Sequence, residues 1–134
     1  MNICSAIQNG IKILKENSIN NPYLDSEILL AKAINKNRKY LLLNFKKNLK
    51  NNELDFFNRL IKNRSTGKPI AYLTNKKSFW NSEFHITGDI LIPRPDTELL
   101  IESILESTRH KKKLHLLDIG IGSGCILLSI LRER

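Results

Sequence analysis

The chain has 134 residues, about the length of one ordinary domain, and 41% of them are hydrophobic, which indicates a globular protein with a core. It contains no run of the roughly 18 apolar residues that a membrane-spanning helix needs, and its first residues lack the layout of a secretory signal peptide. The formal net charge is +9, and residues 1–87 carry all of it, with 15 Lys and Arg against 6 Asp and Glu.

The charge and the cysteines limit the partners and the compartment. A basic half could meet nucleic acid or an acidic protein surface. A coding bias toward Lys and Asn would give the same excess, and no RNA-binding motif accompanies it. Cys4 and Cys125 lie far apart without metal-binding or redox spacing, so we expect a cytoplasmic protein with no metal site and no membrane partner.

Residues 1–66 predict a small helical bundle. Apolar residues recur at helical spacing from Ile3 to Leu14, and Asn21 followed by Pro22 is typical of a helix start. Four helices are predicted: over residues 3–16, from Pro22 to about residue 34, around Tyr40 to Leu43, and from a cap at Asn51 or Asn52 to a stop at Ser65-Thr66-Gly67. No catalytic group of side chains lies among them, which indicates a binding or scaffold module.

Residues 67–92 predict a β-hairpin. Two apolar strands, Ile70 to Leu73 and Ser78 to Trp80, would flank a polar turn at Thr74 to Lys77. A turn at Gly88 and Asp89 would precede further β-like residues at 90–92. We interpret Trp80 as a packing anchor and His85 as a surface residue, because a catalytic role would need a geometric partner.

The next segment, from Ile92 to Glu98, reads Ile-Pro-Arg-Pro-Asp-Thr-Glu. Its two prolines restrict the backbone, and Asp96 or Thr97 could cap the following helix. Arg94, held between the prolines, is well placed to donate to a carboxylate or a phosphate. A rigid linker before a helix would explain the prolines and the acids but not the arginine.

Residues 114–131 predict a buried parallel strand that ends at Asp118, a turn with glycines at 120, 122 and 124, and a helix. Cys125 stands where a dinucleotide-binding loop needs Gly or Ala, and no Lys follows as in a phosphate-binding P-loop. The remaining pattern, Asp-x-Gly-x-Gly-x-Gly, resembles the first motif of class I S-adenosylmethionine-dependent methyltransferases. An ordinary strand–helix turn is the alternative.

Four stretches together resemble the release factor glutamine methyltransferases, the HemK/PrmC family, in order and spacing. They are Gly67 to Leu73, Phe79-Trp80, Ile92 to Glu98 and Leu117 to Gly124. The resemblance implies an α+β chain with a helical substrate-binding bundle (1–66), a β-hairpin linker (67–92) and the start of a Rossmann-like methyltransferase domain (93–134).

The resemblance also implies a reaction and a site. Family members transfer a methyl group from S-adenosyl-L-methionine to the side-chain amide of Gln in the Gly-Gly-Gln motif of peptide chain release factors. By position, the cofactor would contact Gly120, Ile121, Gly122, Ser123 and Gly124, with support from Asp118. Arg94 and Thr97 would border the same pocket. The family often has Thr where this chain has Ile121, so one hydroxyl contact would be missing.

Two family features have no counterpart here. The Asn-Pro-Pro-Tyr motif that holds the substrate amide is absent, since Asn21-Pro22-Tyr23 lies in the wrong context, and so is the acidic residue for the cofactor ribose. We therefore expect the front part of a longer enzyme, with no catalytic residue and no activity of its own. The rival hypotheses are an RNA or DNA methyltransferase of the same fold and a non-catalytic adaptor that binds a protein.

Overall fold

The computed structural model describes all 134 residues, which form seven α-helices and one antiparallel pair of strands. In chain order the elements are α1 (Ile3–Glu16), α2 (Pro22–Ala33), α3 (Arg38–Leu43), α4 (Asn51–Ser65), α5 (Ile70–Thr74), β1 (Lys76–Phe79), β2 (Ser82–His85), α6 (Glu98–Ser107) and α7 (Cys125–Glu133). The predicted α+β class is confirmed at this level. None of the helices is both long and apolar enough to cross a membrane.

The chain divides into two compact units, Met1–Thr74 and Asn75–Arg134. The first unit contains α1 to α5, with α1, α2 and α4 packed around one apolar core. The core includes Ile3, Ala6, Leu14, Leu29, Leu30, Phe57 and Ile61. The predicted division at residues 66 and 92 stays a prediction.

Side-chain caps fix the starts of two helices in the first unit. The Asn2 side chain accepts a hydrogen bond from the Ser5 backbone N–H at 2.8 Å, and Asn37 accepts one from the Tyr40 N–H at 2.9 Å. Each bond satisfies one of the N–H groups that have no partner in the first helical turn. Pro22 is the first residue of α2, as predicted.

The predicted cap of α4 was wrong. Asn51 is already helical and Lys50 holds the cap position. The Glu53 carboxylate reaches back and accepts the Lys50 backbone N–H at 2.8 Å. An acidic residue at the third helical position can satisfy that N–H, so no asparagine is needed as the cap.

A partly buried ion pair joins α4 to α2. Arg64 Nε lies 2.7 Å from Asp25 Oδ2, and the same guanidinium donates to the Lys68 carbonyl at 3.1 Å. Asp25 is buried, so its carboxylate depends on this partner.

The hairpin forms later in the chain than predicted. β1 pairs with β2 in the register Lys76 to His85 and Phe79 to Ser82, with Trp80 in the turn. The predicted first strand, residues 70–73, is instead the helix α5. It begins directly after Pro69, and its Ala71 and Leu73 side chains are buried in the first unit.

Two other predicted β segments do not form strands. Residues 90–92 follow a turn, closed by the Ile90 N–H donating to the Thr87 carbonyl at 3.2 Å. Residues 114–118, predicted as a buried parallel strand, are irregular, and Leu117 is 83% exposed. A parallel strand needs neighbours to pair its backbone, and the described chain places none beside this segment.

The second unit has its own small core. The Phe79 and Phe84 rings of the hairpin meet edge to face, with centroids 6.2 Å apart. Ile86, Ile101 of α6 and Ile130 of α7 are also fully buried. The glycine loop lies in the chain between α6 and α7.

Candidate functional site

The glycine loop has left-handed backbone at all three glycines. The φ angles are +85° at Gly120, +53° at Gly122 and +74° at Gly124. The Gly124 N–H donates to the Ile121 carbonyl at 2.7 Å, and α7 begins at the next residue. Other residues adopt such φ values only with strain, so the sequence needs glycine at these positions.

The loop leaves open space beside its backbone. A β-carbon added at Gly120 would meet no atom within 4 Å, and one at Gly122 would meet only the Gly120 carbonyl oxygen, at 3.9 Å. At Gly124 the space is partly filled by Leu128, 3.2 Å away. A ligand could therefore approach the backbone of the first two glycines directly.

Two polar side chains of this segment each have a buried oxygen atom without a partner. Asp118 Oδ2 and Ser123 Oγ are both inaccessible to solvent and make no hydrogen bond, and neither does Ser129 Oγ in α7. Buried polar atoms in folded proteins are nearly always hydrogen-bonded, so each such atom calls for an explanation. In the chain, Asp118 precedes and Ser123 follows the two open glycines.

The structure does not bring Arg94 and Thr97 to the glycine loop through any hydrogen bond or ion pair. Arg94 is exposed. Thr97 is the last residue of a 3₁₀ turn (Pro95–Thr97), and its backbone N–H donates to the Arg94 carbonyl at 3.1 Å. Thr97 holds the cap position of α6, as one of the two predicted candidates, but its side chain makes no capping hydrogen bond. The 3₁₀ turn already occupies the position where a capping residue would stand.

Glu98, in the first turn of α6, has a role that the sequence did not reveal. Its Oε1 accepts the Trp80 backbone N–H at 2.8 Å, and Glu133 Oε1 of α7 accepts the indole N–H of Trp80 at 2.7 Å. Trp80 has φ +52°, so two carboxylates hold a hairpin turn in an uncommon conformation. These partners are 18 and 53 residues away along the chain, which no local pattern could have shown.

The remaining candidate residues form no second chemical site. His85 lies at the exposed end of β2 without a hydrogen bond, Cys4 is an exposed free thiol and Cys125 is a buried one. The described residues contain no group of three or more His, Cys, Asp or Glu side chains that could hold a metal ion.

The chain is similar to an N-terminal domain family and to proteins named as methyltransferases. The family described as PrmC N-terminal domain matches residues 5–74, more than half of the chain. A release factor glutamine methyltransferase of Leptospira interrogans is 38% identical over 133 residues, which are 98% of this chain and 46% of that protein. One of Coxiella burnetii is 39% identical over 113 residues, which are 84% of this chain and 41% of that protein.

A third relative has a different name. A bifunctional methyltransferase of Rickettsia bellii is 35% identical over an alignment of 153 residues that covers 95% of this chain and 28% of that protein. The chain thus spans less than half the length of each of these curated relatives. The matched residues include the first compact unit, and the alignments to the Leptospira and Rickettsia proteins extend over nearly the whole chain. The chain belongs to the PrmC family, with residues 5–74 matching its N-terminal domain.

Proposed function

We propose that the protein with this chain methylates the Gln side-chain amide of the Gly-Gly-Gln motif in peptide chain release factors, with S-adenosyl-L-methionine as methyl donor. The names of the relatives support the substrate. The observation that carries the proposal is the pair of buried, unpartnered oxygens, Asp118 Oδ2 and Ser123 Oγ, beside a glycine backbone with open space. Since release factors act in translation, we also propose that the protein works in the cytoplasm.

The residues present fit this cofactor. S-adenosyl-L-methionine has hydroxyl, amino and carboxylate groups that can hydrogen-bond, and it can approach a backbone more closely where no β-carbon stands in the way. Gly120, Ile121, Gly122 and Gly124 would offer their backbone to it, and Ser123 and Asp118 would gain the partners that they lack. Ile121 contributes no hydroxyl at its position, so the contact there would be made by the backbone.

The reaction needs alignment more than acid–base chemistry. An amide nitrogen is a poor nucleophile because its lone pair is delocalised into the carbonyl, and when bound the cofactor supplies an electrophilic methyl group on a sulfonium. The protein must hold the two reactants in line and exclude water. In this chain the glycine loop would fix the donor side, and no residue of the chain is assigned to the acceptor amide.

The segment before the loop supports a larger site. Leu117, the last apolar residue of the predicted buried strand, is 83% exposed, and Ile119, just after that strand, is 88% exposed. In relatives more than twice as long, further strands would cover these side chains and complete the cofactor pocket. We therefore propose that this chain alone does not catalyse methyl transfer, and that Arg94 and Thr97 border the completed pocket.

Calorimetric titration of S-adenosyl-L-methionine and its demethylated product tests the proposal. We expect binding by a protein of the relatives' full length, weak or no binding by the 134-residue chain, and loss of binding in a full-length Gly122→Val variant. Gly67→Val is the matched control, because Gly67 also has positive φ (+90°) and open space around it, but lies in the other compact unit. Equal affinities of wild type and Gly122→Val would refute the loop assignment.

A non-catalytic adaptor is the second candidate, and one observation favours it. Residues 1–74 form a compact unit with its own apolar core and contain no catalytic group. If neither protein length binds the cofactor, yet this chain binds a release factor, the adaptor function replaces the enzyme. A nucleic-acid methyltransferase would instead be indicated by methyl transfer to RNA or DNA and not to a release factor.

A further inference from the structure

The basic charge of the first compact unit is concentrated in one segment. Residues 1–74 contain thirteen Lys and Arg and five Asp and Glu, and residues 36–50 hold six of the basic residues and none of the acidic ones. This segment consists of α3 and the loops that connect it to α2 and α4. A coding bias alone would distribute lysine through the whole chain, without removing acids from one surface element.

Most of these cations lack a counter-ion. Only Arg38 is paired, with its Nε 3.0 Å from the Glu27 carboxylate. The other five are exposed and form no ion pair: Lys36, Lys39, Lys46, Lys47 and Lys50. Like charges that are held close together repel each other, so an unpaired cluster favours an anionic partner.

Lys36 and Lys47 line a cleft around Tyr40. Lys47 Nζ donates to the Tyr40 hydroxyl at 2.6 Å, and Lys36 Nζ lies 5.7 Å from the centre of the ring. The one carboxylate that lines the cleft, Glu53, accepts the Lys50 backbone N–H. The cleft therefore has a net positive charge.

Apolar side chains lie among the lysines. Leu41 points into the core and is 1% exposed, whereas Leu42 is 53% and Leu43 is 84% exposed. Phe45, just after α3, is also exposed and lines a second depression together with Leu43 and Lys46. Three large exposed apolar side chains within four residues mark a contact surface.

The backbone that presents these side chains is held in place. The first free N–H groups of α1 donate to this loop, from Ile3 to the Lys47 carbonyl at 3.0 Å and from Cys4 to the Phe45 carbonyl at 3.1 Å. The Leu49 N–H in turn donates to the Met1 carbonyl at 3.0 Å. A surface with a fixed backbone loses little entropy when a partner binds.

We propose that this α3 surface, defined by Lys39, Leu42, Leu43, Phe45, Lys46 and Lys47, docks an acidic segment with apolar side chains on the protein substrate. The inference rests on the proposed function for the identity of that substrate. The apolar centre with a charged margin has the anatomy of a protein–protein interface. RNA would match the lysines, and a base could stack on Phe45, but Leu42 and Leu43 would then have no role. α3 has only six residues, too short for a helix that lies along a membrane.

Binding of a purified release factor to the 134-residue chain, measured by interferometry at low and high salt, tests the inference. Lys39→Glu combined with Lys46→Glu should weaken binding about tenfold at low salt, and Leu43→Gln should weaken it by about tenfold at both salt concentrations. The control pair Lys12→Glu and Lys68→Glu makes the same change of charge at exposed lysines outside the surface and should cost less than about twofold. Equal losses in both charge pairs would overturn the proposal.

Two further probes separate the other occupants. A single-stranded RNA oligonucleotide and phosphatidylcholine vesicles with phosphatidylglycerol should both bind more weakly than the release factor. If either binds more tightly and the Lys39 and Lys46 reversals abolish that binding, the surface serves RNA or membrane and the proposal fails.

Steady-state methylation by the full-length protein distinguishes this inference from the proposed function. We expect the α3-surface variants to raise the KM for the release factor with little change in kcat. An unchanged KM in the variants, with methylation by the wild type, would reject the surface and keep the function. No methylation by the wild type would reject the function on which the inference rests.

Discussion

Gly10 lies where α1 packs against α2 and α4, and an alanine at this position would have no room for its β-carbon. The added atom would lie 2.5 Å from Ser26 Oγ, 2.9 Å from Phe57 Cζ and 3.0 Å from Ile61 Cδ1. Ser26 is fixed by its hydrogen bond to the Ile7 carbonyl at 3.0 Å, and Phe57 is fully buried. Neither neighbour can move without disturbing the core.

Two opposing terms decide the effect of Gly10→Ala on stability. Alanine in a helix interior is favoured over glycine by about 1 kcal/mol, whereas overpacking a well-filled core costs about 1–3 kcal/mol. Because both close neighbours are fixed, we expect the upper part of that cost and a net loss of about 1–2 kcal/mol. Removing the nearest atom with Ser26→Ala should reduce the cost of Gly10→Ala, which a double-mutant cycle would measure.

Hydrogen exchange of the α1 amides is the suitable assay, because a circular-dichroism transition would mix the two compact units. Exchange through unfolding of the bundle should become about tenfold faster in Gly10→Ala, corresponding to roughly 1.4 kcal/mol. Gln8→Ala, at an exposed position of the same helix, should change stability by less than about 0.5 kcal/mol. If Gly10→Ala exchanges as slowly as the wild type or more slowly, the close packing of α1 at this position is refuted.

Three other predictions follow from contacts in the first unit. Arg64→Met should lower the free energy of unfolding of the first unit by about 3 kcal/mol, because the buried Asp25 carboxylate loses its partner. Adding Asp25→Leu should restore most of this stability, as measured by urea unfolding followed by hydrogen exchange. An unchanged stability of Arg64→Met would contradict this prediction. Asn2→Ala should cost about 1 kcal/mol by the same measurement, since one helix cap is lost, whereas Asn2→Asp should not. The hydrogen bond to the Tyr40 hydroxyl raises the pKa of Lys47 above its ordinary value, so its NMR titration midpoint should lie above the ordinary lysine value and fall in Tyr40→Phe. The small stabilisation from this contact should be complete below the ordinary lysine pKa and should be lost as pH rises through the folded-state pKa.

The bundle could be predicted from sequence because its information is local. The apolar residues from Ile3 to Leu14 repeat at helical spacing, and the resulting helix, Ile3–Glu16, has the predicted bounds. Asn21 and Pro22 likewise marked the start of α2. Each of these signals depends on a few neighbouring residues and on the burial of one helix face.

The hairpin was misplaced because a short apolar run does not identify its own secondary structure. Residues 70–73 fit a buried strand and a buried helical turn equally well. Burial of Ala71 and Leu73 in the first unit selects the helix, and this is information from the tertiary structure. The carboxylates of Glu98 and Glu133 at Trp80 could not be predicted for the same reason, since they come from distant parts of the chain.

The candidate site depends both on local signals, as the bundle does, and on contacts with distant parts of the chain, as the hairpin does. The positive φ angles of Gly120, Gly122 and Gly124 arise within a few residues, so the loop takes a ligand-accepting shape although the strand before it does not form. The strand needs paired neighbours, and without them Leu117 stays exposed. Ligand affinity depends on all the groups that surround the ligand, whereas loop shape depends on the loop alone.

We therefore expect the loop conformation to be the same in this chain and in a protein of its relatives' length, and cofactor affinity to differ strongly between them. Similar chemical shifts of the three glycines in both proteins, with binding in the longer one, would agree with this separation; a rearranged loop in the longer protein would contradict it.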